Sequence, residues 1–224
     1  MDRFVVLLCL FFSLSAGSVS AESELPVIKV GSKNFTEGYI LSEIISQVIE
    51  DTGLARVERK FGLGNTGIVY AALVDESIDL YPEYTGTISA NMLKKPEVKT
   101  VADLNSGLKP LGLVISDSLG FNNTYALAMF PKVASSLGVE KISDLRAHGD
   151  LRLGLSHEFL DREDGWKALK TAYGLEFERN RGMEHALAYR ALEEDSVDLI
   201  EVYSTDGQVS KMGLKVLTDD RAFF

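Results

Sequence analysis

Apolar and polar positions along this chain follow two alternating periods. Val27 to Gly31 is a short β-branched run closed by glycine, which predicts a strand. From Tyr39 to Glu50 the apolar residues fall at Ile40, Ile44, Ile45, Val48 and Ile49, with Gly53 just beyond; that is helical spacing with a glycine stop. Val57 to Phe61 reads as a second strand, Ile68 to Val74 as a second helix and Ile78 to Tyr81 as a third strand, the alternation found in parallel α/β sheets. In the second half, Thr124 to Met129, Leu151 to Leu155 and Val197 to Val202 predict strands, while Gly165 to Tyr173 and Met183 to Glu194 predict helices. Ser, Gly and Asn gather at Asp117 to Phe121 and mark a break between two α/β halves, the natural layout for a ligand cleft between lobes.

The first residues follow a different pattern. Met1-Asp-Arg3 precede an unbroken apolar run from Phe4 to Phe12, and small residues follow as far as Val19-Ser-Ala21. This reads as a secretory signal peptide over residues 1–21, cleaved after Ala21. The run is too short to span a bilayer, which takes about 20 apolar residues. An exported, periplasmic chain is expected. Cys9, the only cysteine, lies inside this segment with Leu8 before it and Leu10-Phe-Phe12 after it, a context that argues against a lipoprotein. Cleavage would remove the one thiol and with it any disulfide, redox or thiolate metal chemistry.

The formal net charge of −10 survives that cleavage, because Asp2 and Arg3 leave together. Nucleic acid and anionic lipid both require clustered Lys and Arg, so no nucleic-acid partner is expected; the partner should be neutral, cationic or a protein. His148, His157 and His185 lack metal-ligand spacing and read as surface or capping residues. No metal and no cofactor is expected. Gly62-Leu-Gly-Asn-Thr-Gly67 is a literal G-x-G-x-x-G, but it follows the second strand of its unit, not the first, and reads as a glycine loop opening a helix. Gly154-Leu-Ser-His-Glu158 lacks the final glycine of a nucleophile elbow. Glu193-Glu-Asp195 and Asp161-Arg-Glu-Asp164 read as solvated helix ends. None of these features argues for catalysis.

Three tyrosines carry the chemistry. Tyr84, Tyr125 and Tyr203 stand in Leu80-Tyr-Pro-Glu-Tyr-Thr-Gly-Thr87, Leu119-Gly-Phe-Asn-Asn-Thr-Tyr-Ala-Leu-Ala128 and Val197-Asp-Leu-Ile-Glu-Val-Tyr-Ser-Thr-Asp-Gly207, segments that mix aromatics with small polar residues. A quaternary ammonium has a full charge but no N–H to donate, so π faces and dispersion must hold it. Each Tyr face within about 6 Å contributes roughly 0.5–2 kcal/mol, and several together form a cage.

With Ser32-Lys-Asn-Phe-Thr-Glu37 and Glu158-Phe-Leu-Asp-Arg162, these segments resemble the substrate-binding proteins of osmoprotectant ABC importers, from roughly Val27 to the last residue. The resemblance implies an α/β, two-lobed, type II periplasmic-binding-protein-like fold, with lobe one over residues 26–117 and lobe two over 118–207. Residues 208–224 would begin a return to lobe one that is cut short: its closing part, with a fourth cage tyrosine, is missing from a chain that ends at Phe224. It implies a non-enzymatic role: a monomer captures glycine betaine, choline or a related quaternary ammonium compound and delivers it to an ABC permease subunit in the inner membrane. A non-transporting paralogue or sensor, or a periplasmic enzyme acting on a cationic substrate, are the alternatives. By the same resemblance Tyr84, Tyr125 and Tyr203 would cage the cation with Asn123 beside them, and Lys33, Thr87 and Arg162 would hold a carboxylate, chemistry suited to a guanidinium fork.

Overall fold

The computed structural model describes residues 24–224; the signal segment expected at 1–21, with Cys9, lies outside them. Strand β1 (Val27–Lys33) feeds helix α1 (Thr36–Asp51), which returns to β2 (Arg56–Gly64), parallel to β1 with Val27 opposite Arg56. Helix α2 (Thr66–Val74) follows, its first turn capped by the Asn65 side chain, which accepts from the Ile68 N–H. The strand expected at Ile78–Tyr81 is only a bridge between Leu80 and Val30. Asp79 takes the Lys29 N–H with its carboxylate at 2.6 Å, and Pro82 has no N–H with which to extend a ladder.

Helix α1 inverts the usual burial. Gly38, Ser42 and Ser46 are its buried residues, and the Ser42 hydroxyl donates to the Gly31 carbonyl of β1 at 2.7 Å. Small side chains at i, i+4 and i+8 let the helix lie close to the strand. The Ile40, Ile44 and Val48 stripe faces outward and each residue is more than half exposed. The glycine loop also serves the backbone: Gly62 has φ +69°, and a Cβ there would strike the Tyr39 hydroxyl.

The first lobe continues through the short helix α3 (Thr85–Thr87), a π turn at Ile88–Met92 and α4 (Val101–Leu108), around a small core of Ile88, Leu104 and Leu108. Residues 113–124 then carry the chain across without helix or strand.

The second lobe is built on a five-stranded sheet. Its elements are β3 (Tyr125–Met129), α5 (Pro131–Leu137), β4 (Arg152–Ser156), α6 (His157–Asp161), α7 (Trp166–Tyr173), β5 (Arg179–Met183), α8 (His185–Glu193), β6 (Leu199–Tyr203), α9 (Gly207–Lys211) and β7 (Lys215–Val216). The strand order is β5-β4-β6-β3-β7, with β5, β4 and β6 parallel and β3 antiparallel to both its neighbours. The sheet is therefore mixed, whereas the sequence alternation suggested a parallel one. Strand β5, Arg-Asn-Arg-Gly-Met, is an edge strand and mostly exposed, so it has no apolar period to betray it. Met183 is held in β5 opposite Ser156, and helix α8 accordingly begins at His185, not at Met183. Leu127, Leu153, Leu155, Phe159 and Leu169 pack one face of the sheet, and Ile200, Val202, Ala188 and Leu192 the other. In residues 208–224, β7 pairs with β3, and Phe223 and Phe224 pack against the first of these two cores. No helix among the described residues is long and apolar enough to cross a membrane.

Candidate ligand cleft

A cavity of about 1010 Å³ opens between the lobes and is lined by all seven residues singled out from the sequence: Lys33, Tyr84, Thr87, Asn123, Tyr125, Arg162 and Tyr203. Strand register explains the first pair of rings. Tyr125, first in β3, is the antiparallel partner of Tyr203, last in β6, so their side chains leave the same face and the ring centroids lie 5.3 Å apart. Phe35, at the end of β1's exit turn, reaches across from the other lobe. It stands 5.3 Å from Tyr203, edge to face, and 6.4 Å from Tyr84. Phe159 backs Tyr125 at 4.7 Å.

Polar groups fix this aromatic wall. The Tyr84 hydroxyl donates to Glu37, and Asn123 Nδ2 donates to the same Glu37 oxygen at 3.0 Å. Asn123 Oδ1 is buried and accepts from nothing. Burial, reinforced by Glu37 at Tyr84 and by Glu158 at Tyr125 and Tyr203, holds all three phenols above the usual tyrosine range. The three rings are therefore neutral throughout ordinary pH.

The basic residues already have partners. Lys33 Nζ meets Glu83 Oε1 at 2.6 Å, and both side chains are more than nine-tenths buried. Glu83 also accepts from the Tyr84 N–H at 2.8 Å, which ties the lysine to the backbone at Tyr84. Arg162 gives Nε and Nη2 to the two oxygens of Asp164 at 2.8 and 2.7 Å, and its Nη1 reaches the Thr87 hydroxyl at 3.1 Å. Burial works against the guanidinium charge, but the Asp164 bonds together with the electrostatic pull of nearby Tyr125, Asp164 and Glu158 outweigh it and its pKa rises. Its carbon sits 5.7 Å from the Tyr125 ring centroid. Among the described residues no His, Cys, Asp and Glu groups converge in a way that would hold a metal ion.

Five further residues escaped sequence reasoning. Phe35, Glu37, Glu83 and Glu158 lie inside the motifs quoted above, but nothing in the one-dimensional pattern says which neighbour of a tyrosine turns with it. The fifth is His185, expected at the surface or as a cap. Its ring stacks on Tyr203, 4.1 Å between centroids and 21° from parallel, with Nδ1 3.1 Å from Glu201 and Nε2 2.8 Å from Asp206. Burial alone would lower its pKa; the bonds to Asp206 and Glu201 win and raise it to about 9.

Two α/β lobes around a cleft lined from both sides define the type II fold of periplasmic binding proteins. Over residues 26–224 the chain belongs to the family described as the substrate binding domain of the ABC-type glycine betaine transport system, OpuAC. It is 36% identical over 211 residues to the ergothioneine transport permease/ergothioneine binding protein EgtU of Helicobacter pylori, covering 92% of this chain and 38% of that one. With the carnitine transport binding protein OpuCC of Listeria monocytogenes it shares 34% identity over 212 residues, 90% of this chain and 68% of that one. The chain thus spans well under half of the first relative and about two thirds of the second. The crystal structure of a glycine betaine/carnitine/choline ABC transporter superposes with TM-score 0.63 at 31% identity, covering 88% of this chain and 76% of that chain.

Proposed function

We propose that this chain is the exported solute-binding component of an ABC importer, and that it captures a quaternary ammonium compound of the glycine betaine, choline or carnitine class between its lobes for delivery to a membrane permease. The observation that carries the reading is the chain of rings Tyr84, Phe35, Tyr203 and Tyr125, drawn from both lobes around one cavity. Such a wall suits a cation that cannot donate a hydrogen bond. Glu37 beside Tyr84 and the unpartnered Asn123 oxygen add negative potential at the same end.

The ligand's polar end belongs to Arg162 and Thr87, which meet across the cleft. Lys33 contributes less directly, since its charge is balanced by Glu83. Calorimetric titration with choline, glycine betaine, carnitine and a matched primary amine is the test. Binding of the quaternary compounds and not of the amine supports the reading; absence of binding by every quaternary compound overturns it.

A further inference from the structure

We propose, resting on this reading of the cleft, that His185 is a positioning residue of the cage, clamped between Glu201 and Asp206 so that its ring stacks on Tyr203 and fixes where that tyrosine meets the ligand. Tyr203 lines the cavity and His185 does not, so the histidine backs the tyrosine from behind. Glu201 and Tyr203 are two residues apart on β6 and share a strand face. His185, first in α8, covers both. Its two nitrogens are anchored on opposite edges, Nδ1 to Glu201 and Nε2 to Asp206, which fixes the plane of the ring.

The anchors are themselves fixed. Glu201 is fully buried and its second oxygen accepts from the Ser156 N–H at 2.7 Å. Asp206 also accepts from the Tyr189 hydroxyl at 2.6 Å and from the Tyr203 N–H at 2.9 Å. The groups facing His185 are thus Glu201 and Tyr203 from β6, Asp206 from the turn before α9, and Tyr189 from α8 itself. Glu184, next in sequence, is turned to Asn34 of the other lobe.

Two carboxylates grip one imidazolium, one at each ring nitrogen, and hold the ring against Tyr203. Loss of the proton leaves the imidazole one N–H for two acceptors, and the ring is no longer held at both edges. The raised pKa of His185, about 9, places that loss above the physiological range. The cage phenols stay neutral there, being held above the ordinary tyrosine range.

The experiment is titration of the wild type and of His185→Gln with choline and with glycine betaine across the range from about pH 6 to pH 10, where the histidine proton is lost, alongside thermal unfolding. For the wild type, affinity should hold steady at low pH and fall about tenfold for both ligands at the alkaline end, the worth of one cation–π contact. His185→Gln should be weaker by about tenfold at neutral pH and flat across the range. A folded His185→Gln with wild-type affinity and pH profile, or one that only melts earlier, overturns the proposal. So does a wild-type affinity that stays unchanged through the alkaline end, a measurement that needs no variant. If no quaternary ammonium compound binds the wild type at any pH, the ligand reading itself has failed and this inference goes with it.

Discussion

Lys33 and Glu83 form a 2.6 Å ion pair beneath Tyr84, with side chains 6% and 7% exposed. At that depth neither charge can be left alone. Glu83→Ala should cost about 3–5 kcal/mol, because it strands a buried ammonium. The paired replacement Lys33→Met with Glu83→Leu should recover most of that loss. Chemical denaturation of the single and double variants checks this; equal losses in both would show that the pair is not a unit.

The carboxylate role proposed for Arg162 predicts a difference between ligands. Glycine betaine has a carboxylate where choline has a hydroxyl, so Arg162→Ala should penalise betaine far more. The lost charge-assisted bond is worth roughly 1.5–3 kcal/mol, about ten- to a hundred-fold in Kd. Equal weakening of the two ligands would remove Arg162 from the carboxylate role.

Tyr125→Ala should act the opposite way and weaken both ligands alike, by roughly 0.5–2 kcal/mol, since both carry the trimethylammonium group. Its ring also packs on Phe159, so some stability is lost as well. Titration at a temperature well below the variant's Tm keeps the two effects apart.

Stability should fall in alkali through His185. Its pKa is about 9 in the folded chain against an ordinary value of 6.5, a raised value. The contribution is therefore complete below about pH 6.5 and lost as pH rises through about 9. Its size is on the order of 3 kcal/mol. Thermal melts at pH 6 and above should show the decline; in His185→Gln this part of the decline should be missing.

Trp166, the only tryptophan, is buried and lies 6.4 Å from Phe159, which in turn touches Tyr125. One ring separates it from the cleft. Its emission should shift when choline or glycine betaine binds, and proven binding with an unchanged spectrum would sever that link.

The sequence was most legible where one period dominated. Strands β3, β4 and β6 and helices α2 and α7 appear close to where their apolar spacing put them. Strand β5 was invisible because an exposed edge strand needs no apolar residues. The aliphatic stripe of α1 was visible, but its outward direction was not, since the close approach of Ser42 to Gly31 is a fact of three dimensions. The same holds at the cleft. All seven candidate residues line one cavity, yet their charge partners were not legible: Glu83, inside a tyrosine motif, pairs with Lys33, and Asp164, read as part of a solvated helix end, takes two bonds from Arg162.

Among the described residues the backbone passes between the lobes once, through the unstructured segment 113–124. The remaining ties are side chains, such as Asn34 to Glu184 at 2.9 Å, Thr66 to Glu158 at 2.8 Å and Thr87 to Arg162 at 3.1 Å. Each such bond is worth about 1 kcal/mol, enough to change the fraction of time the lobes stand apart several-fold. Asn34 and Glu184 lie outside the cavity wall, so their bond never meets the solute. If the cleft holds a solute as proposed, this bond would still lengthen its stay, because it ties the two lobes together away from the cavity.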